Sequence, residues 1–444
     1  MECRETCALE WRIPVFGEGV RHSELISRKS ARTPSLYRTI GAALLAALVA
    51  GSSLVPAATP LAADQKKPKR AKFGSSLRRL RWDPASQAAV ETEGETKGRA
   101  SQSDDSIKLD TLLVVFDLLV VKGDKQQVVK GLSKDDFIIT EDGKPQQVAT
   151  FAMGDDATRP RSIILIIDYS NSQDPYLETS TKAAKTLIGK LGPQDEMAIV
   201  TDDVEMLTDF TRDRKKLVST LDKIRKRVFE KHDHGQSLQF TALFAALREL
   251  TDNKDSRPII IFQTDGDEAA AFRDQADAAR FAFLRRKMPS PEYGLSDIYS
   301  AAEKSRATIY SVVTNHRLIG LPSAEYQRQV AQLLATRGFI RPGEYVNPEQ
   351  ASLIRLYADL FRQGQFATVR VATLTGGWTA WLERPDQAAG IYEQILSDID
   401  QRYIIGYYPT NGARDGNSRK VGIEVKGHPE YKVHGRTTYY APEH

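Results

Sequence analysis

The chain has 444 residues, 41% of them hydrophobic, with 62 Lys and Arg against 58 Asp and Glu for a formal net charge of +4. That length suggests about two to three domains, and the composition is that of an ordinary globular protein with a sizeable core, not of a disordered chain. A balance this close to neutral singles out neither nucleic acid nor an acidic surface as partner, and the two cysteines, Cys3 and Cys7, fall too early to build a disulfide framework or a cysteine metal site in the rest of the chain.

In chain order, residues 40–55, "IGAALLAALVAGSSLV", follow Arg32 and Arg38 and precede the small residues of "PAATPLAA". A basic flank, an apolar stretch and a small-residue region make a secretory signal peptide, and the apolar stretch is short of the roughly 20 residues a spanning helix needs. Residues 1–63 are therefore read as a signal peptide or, alternatively, a retained membrane anchor, and the protein is expected to be exported: periplasmic, cell-surface or secreted. Residues 64–107 are basic and then polar, a composition expected of a disordered linker. Residues 108–158 change character: "DTLLVVFDLLVV", "QVVKGL" and "DFIITEDGKPQQVATF" are strands punctuated by turns, with Asp142-Gly143 a strong hairpin signal.

From 159 to 395 strands and helices alternate. "SIILII", "EMAIVT", "VEMLTDF", "RPIIIFQT" and "ATIYSVVT" are strands, and "LETSTKAAKTLIGKL", "DRKKLVSTLDKIRKRV", "TALFAALREL" and "DIYSAAEKSR" are helices. Such alternation implies an α/β fold with a mostly parallel sheet and helices on both faces. "AEYQRQVAQLLATR", "EQASLIRLYADLFRQ" and "QAAGIYEQILSDID" add helices, and "TLTGGWTAW" a short strand. The tail, residues 396–444, contains three further turn-punctuated strands, which are expected to pair with those of 108–158 in one small antiparallel β-sandwich.

Ligands of an open α/β sheet bind beyond the carboxyl ends of its strands. Asp168, Ser170 and Ser172 follow "SIILII", Asp265 follows "IIIFQT", and Thr241 opens a helix, so five oxygen-bearing side chains can meet at one rim. Hard oxygen donors suit Mg²⁺, Mn²⁺ or Ca²⁺ in preference to Zn²⁺. The alternative is that Asp168 and the serines cap the next helix. Asp267 and Glu268 are further acidic residues beside Asp265, either part of the site or favourable charges at a helix start. His232 and His234 lack a third ligand for a softer metal.

"DYSNS", "TALFAAL" and "TDG" in this order resemble the metal-ion-dependent adhesion site of the von Willebrand factor type A domain, over about residues 160–395. "GLSKDDFIITEDGKPQQVATF" and "YIIGYYP" on either side are similar to the related domain of secreted acidobacterial proteins. The resemblance implies a Rossmann-like fold in which Ser170, Ser172 and Thr241 bind the metal and Asp168 and Asp265 hold it mostly through water. It implies an open coordination position that takes an Asp or Glu carboxylate from a partner protein. The expected function is then an exported, non-enzymatic, metal-dependent protein-binding or adhesion module. No nucleic-acid partner is expected, and membrane contact only through an uncleaved N-terminal segment. The alternatives are a metal-dependent hydrolase, with Asp267, Glu268 or His234 as base, and a scaffold with an idle metal site.

Overall fold

The computed structural model describes residues 72–92, 113–123, 126–156, 160–251, 256–274, 291–336, 340 and 347–442. The apolar stretch at 40–55, the rest of segment 1–63 and most of the expected linker lie outside these residues. Among the described residues no helix is long and apolar enough to cross a membrane.

The first described residues correct the linker expectation. A 3-10 turn at Ser75–Arg79 leads into a hairpin of β1 (Leu80–Asp83) and β2 (Ala88–Glu91). Phe73 and Leu80 are buried in the main core, with Leu77 and Ala89 packed against it. The high count of basic residues concealed a few well-spaced apolar ones, and those are enough to dock the segment.

Next come the strands of the first flank: β3 (Val114–Lys122), β4 (Gln127–Val128), β5 (Phe137–Glu141), β6 (Lys144–Gln146) and β7 (Val148–Met153). Asp142 and Gly143 both have positive φ, 47° and 80°, the backbone that a two-residue turn between β5 and β6 requires. The α/β region follows as β8 (Arg161–Ile167), α1 (Asp174–Lys190), β9 (Glu196–Thr201), β10 (Glu205–Thr211), α2 (Arg214–Lys231), α3 (Gln239–Glu249) and β11 (Arg257–Thr264). It continues as α4 (Leu295–Lys304), β12 (Thr308–Thr314), α5 (Ser323–Thr336), α6 (Pro348–Leu374), β13 (Thr379–Leu382) and α7 (Ala388–Gln401). The tail adds β14 (Tyr403–Tyr407), β15 (Ser418–Val425), β16 (Tyr431–His434) and β17 (Thr438–Tyr440), one strand more than expected.

The six-stranded sheet runs β10-β9-β8-β11-β12-β13. All its pairings are parallel except β10 with β9, because β10 returns by a tight turn while the others return through helices. Both faces of β8 are covered, which is why its sequence is a continuous apolar run. Ile164 and Ile166 pack on the side of α3, α4 and α6, and Ile163, Leu165 and Ile167 on the side of α1, α2 and α7. Each such fully buried side chain contributes about 1.5–3 kcal/mol.

The flanks form two antiparallel sheets, β16-β3-β14-β7 and β17-β15-β5-β6. Strands from both ends of the chain alternate in them: β14 lies between β3 and β7, and β15 pairs with β5. Phe116, Leu118, Tyr403 and Ile405 face Phe137, Ile139, Val421 and Val425 in one core. The chain thus leaves this sandwich after β7, builds the α/β region, and returns through β14.

Candidate metal centre

From β8 the chain builds outward through α1 to β9, while β11 lies on its other side and leads to β12 and β13. The β8–β11 boundary is therefore the point where strand order reverses, and the crevice at its carboxyl end is where such sheets bind ligands. Asp168 follows β8 and Asp265 follows β11, and the Asp168 backbone N–H donates to the Gln263 carbonyl at 3.1 Å, holding the two loops side by side.

Four of the five expected residues meet there. Ser170 donates to Asp168 Oδ1 through its backbone N–H at 2.9 Å and its hydroxyl at 2.6 Å. The Ser170 and Ser172 hydroxyls are 3.1 Å apart, and Ser172 donates to Asp265 Oδ2 at 2.5 Å. Asp168, Ser170 and Asp265 are buried, and Ser172 is half-buried and marks the approach to the group. Neither Ser170 nor Gln173, the residues that precede the 3-10 turn and α1, makes a side-chain capping bond, so the helix-cap alternative does not describe this loop.

Thr241 is placed differently. Its hydroxyl donates to Glu268 and lies against the Tyr293 hydroxyl. Glu268 also accepts the backbone N–H groups of Phe240 and Thr241, so it binds the first turn of α3 instead of facing the rim. Asp267, half-buried, donates its backbone N–H to Asp265 Oδ1 at 3.1 Å.

The sequence reading missed Gln239. It is fully buried at the start of α3, and its Nε2 donates to Asp168 Oδ2 and to Asp265 Oδ1, both at 3.2 Å. The same amide's Oε1 is buried without a hydrogen-bond partner. Nothing in "GQSLQFTAL" marks this residue, since a glutamine at a helix start has no characteristic pattern. Asp202 was also missed, although it follows β9 as Asp168 follows β8, and the same strand-end rule finds it. Its carboxylate accepts from Tyr169 N at 3.1 Å and Ser237 N at 2.8 Å, tying the β8 loop to the approach to α3.

Electrostatics set this rim apart. Burial pushes the Asp168 carboxyl well above its usual range, and the neighbouring Asp202 and Asp265 add to the shift. Burial likewise pushes Asp202 to about 6 and Glu268 to about 8, the latter in spite of its three donors. The described hydrogen bonds to these four carboxylates come from hydroxyls, one amide and backbone N–H groups, and among the described residues none of the four has a salt bridge. For Asp168, Asp202 and Glu268, burial of this kind favours taking up a proton or a cation.

The donor chemistry fits a hard divalent cation: two carboxylates and two hydroxyls linked edge to edge, with an amide nitrogen bridging the carboxylates. No cluster of three or more His, Cys, Asp or Glu side chains among the described residues is placed to hold an ion, so such a centre rests on Asp168 and Asp265 with neutral oxygens. His234, half-buried, is 3.0 Å from Asp174 through Nε2. The loop that carries Asp265 lies directly on α6. Gly266 has a φ of 79°, and a Cβ on Gly364 would stand 2.0 Å from the Gly266 carbonyl oxygen.

Among known proteins, the von Willebrand factor type A domain family model matches residues 163–268, the span from β8 through Glu268. No curated protein matches the chain. Among solved structures, the conserved hypothetical protein BatB from Bacteroides thetaiotaomicron is 16% identical, with 54% of this chain and 98% of that one covered and a TM-score of 0.30. A von Willebrand factor type A protein from Catenulispora acidiphila is 12% identical over 69% of this chain and 74% of that one, with a TM-score of 0.31. The manganese-loaded TRAP protein of Plasmodium vivax is 12% identical over 69% of this chain and 100% of that one, with a TM-score of 0.29.

Proposed function

Because residues 163–268 form a von Willebrand factor type A domain, we propose that this protein is a protein-interaction module that reads an acidic group on its partner through a divalent cation, Mg²⁺ or alternatively Mn²⁺ or Ca²⁺. The observation that carries this reading is the run of hydrogen bonds Asp168–Ser170–Ser172–Asp265 at the reversal point of the sheet, with its carboxylates buried and without a counter-charge among the described residues. Asp168 and Asp265 supply the charge that holds a cation, and Ser170 and Ser172 supply neutral oxygens. A cation so held offers a Lewis-acidic position to a carboxylate. Half-buried Ser172 defines the side from which an Asp or Glu of a partner protein approaches. The partner is a protein, not a nucleic acid. The exported location rests on the signal-like segment at 40–55, which also supplies the membrane contact if it is retained.

The reading is of a binding module, not an enzyme. Hydrolysis through the same ion needs a base at the rim. Of the three residues that could serve, Glu268 is buried against α3 and His234 is paired with Asp174. Calorimetric titration of Mg²⁺ and Mn²⁺ into the metal-stripped protein, beside Asp168→Ala, tests the centre. Saturable binding in the parent and none in the variant is the expected result. Absence of binding in both moves the contacts to the β-sandwich and makes the α/β region a scaffold.

A further inference from the structure

The family pattern assigns the helix-borne position of the centre to Thr241, and the side chains do not follow it. Thr241 is engaged on the far side, with its hydroxyl on Glu268 and Tyr293 and its backbone N–H on Glu268. Turning its hydroxyl to the rim would strip a fully buried carboxylate of one of its three donors. Gln239, two residues earlier, already reaches both carboxylates of the centre.

We propose that Gln239, in place of Thr241, completes the oxygen set of the cation, and that its amide is an exchangeable occupant of the centre. Its Nε2 bridges Asp168 and Asp265, which is the electrostatic task of a cation done by a dipole. Its Oε1 meanwhile is buried with no partner. A half turn about the terminal bond of the side chain exchanges the two groups in the same space, since a planar amide has nearly the same shape both ways. Oxygen aimed between two carboxylates is repulsive unless a cation lies among them, so the orientation of the amide reports whether the centre is filled. No backbone movement and no rearrangement around Glu268 is needed. The proposal rests on the cation reading of the centre and adds to it a neutral ligand and a built-in competitor.

The test uses the purified protein with three variants, Gln239→Leu, Gln239→Glu and Thr241→Val, each checked for folding by circular dichroism. Mg²⁺ and Mn²⁺ are titrated calorimetrically, and the side-chain amide resonance of Gln239, identified by its loss in Gln239→Glu, is followed by NMR as Mg²⁺ is added. The expected result is affinity lowered about 10-fold or more in Gln239→Leu and within about threefold of the parent in Thr241→Val, the scale on which residues around a metal act. Gln239→Glu, which keeps an oxygen, binds at least as tightly as the parent, and the Gln239 amide resonance shifts on saturation. Binding in Gln239→Leu equal to or tighter than the parent would make Gln239 an obstacle and overturn the proposal. So would loss of binding in folded Thr241→Val, or an amide resonance that stays unmoved while the protein saturates. A parent that binds neither ion refutes the cation reading itself and takes this proposal with it.

Discussion

The two edges of the six-stranded sheet treat buried charge in opposite ways. At the amino edge, Arg161 opens β8 and is paired with Asp195 at 2.5 Å and with Asp400. Arg257 opens β11 and meets Asp117 at 3.1 Å, and Arg402 meets Asp398 at 2.9 Å. Arg436, reaching in from the sandwich, donates to the carbonyls of Glu303 and Ala307. At the carboxyl edge of the same strands Asp168, Asp202, Asp265 and Glu268 are buried with no salt bridge among the described residues. The first edge is solved within the chain, and its charges glue the α/β region to the sandwich. The second is held by hydroxyl, amide and backbone N–H donors alone among the described residues. Incomplete compensation of buried charge sets the carboxyl edge apart from the amino edge more sharply than burial alone.

The comparison is broken most severely at the amino edge. Asp398→Ala leaves Arg402, 1% exposed, without its carboxylate. The expected loss is about 3–5 kcal/mol in urea unfolding, the usual result of stranding one member of a buried pair.

The next effect is the pH dependence of the metal-free protein. Glu268 in the folded state titrates near 8 against an ordinary value of 4.5, and Asp202 near 6 against 3.8. Both folded values are raised, so the native state binds more protons than the unfolded state between those limits, and stability falls as pH rises from about 4 to about 8. A loss of several kcal/mol is expected across melts taken at pH 4 to 9, and Glu268→Gln removes all of the loss above about pH 6 and part of it between about 4.5 and 6. The amino edge has the opposite sign. Arg161 holds Asp195 below its usual range, so that contribution is present above pH 3.8 and is lost as pH falls through the depressed value.

A smaller effect comes from the cation. If the centre binds it, Mg²⁺ at about 100 times its Kd is expected to stabilise the parent by about 2.7 kcal/mol in thermal melts. Asp168→Asn sharpens the contrast with the smallest change. It abolishes the response to Mg²⁺ while leaving the metal-free protein within about 1 kcal/mol of the parent, because replacing an uncompensated buried charge is close to neutral. A destabilisation of Asp168→Asn as large as that of Asp398→Ala would show the two edges to be alike.

The sheet and its rim were legible because both leave a periodic trace. "SIILII" and "RPIIIFQT" are apolar on both faces, and any residue just past the end of such a strand lands on one edge. Asp168, Ser170, Ser172 and Asp265 are placed by that rule alone. Thr241 was not, because its rotamer is decided by Glu268 and Tyr293, the latter 52 residues away in sequence. Gln239 matters through a contact with two strand ends, and no spacing encodes that. The amino-edge arginines are single charged residues in front of strands, the same signal as any solvated cap. Segment 72–92 was hidden by averaging, because its basic residues outvote Phe73 and Leu80 in composition but not in contact.

The way the chain passes between its two regions has a consequence for exchange of parts. Met153 at the end of β7 and Tyr403 at the start of β14 are paired across one ladder, so the α/β region begins and ends about one strand spacing apart, roughly 4.8 Å. To the sandwich an insert of any length with neighbouring ends is equivalent to a hairpin loop, and closing a longer loop costs only about 0.6 kcal/mol per doubling. The sandwich is in that sense a socket. Its fitting is keyed by Asp117 to Arg257 and by Arg436 to the end of α4 and the residues after it, so a graft that lacks Arg257 and the carbonyls that receive Arg436 would be connected to the socket but not seated in it.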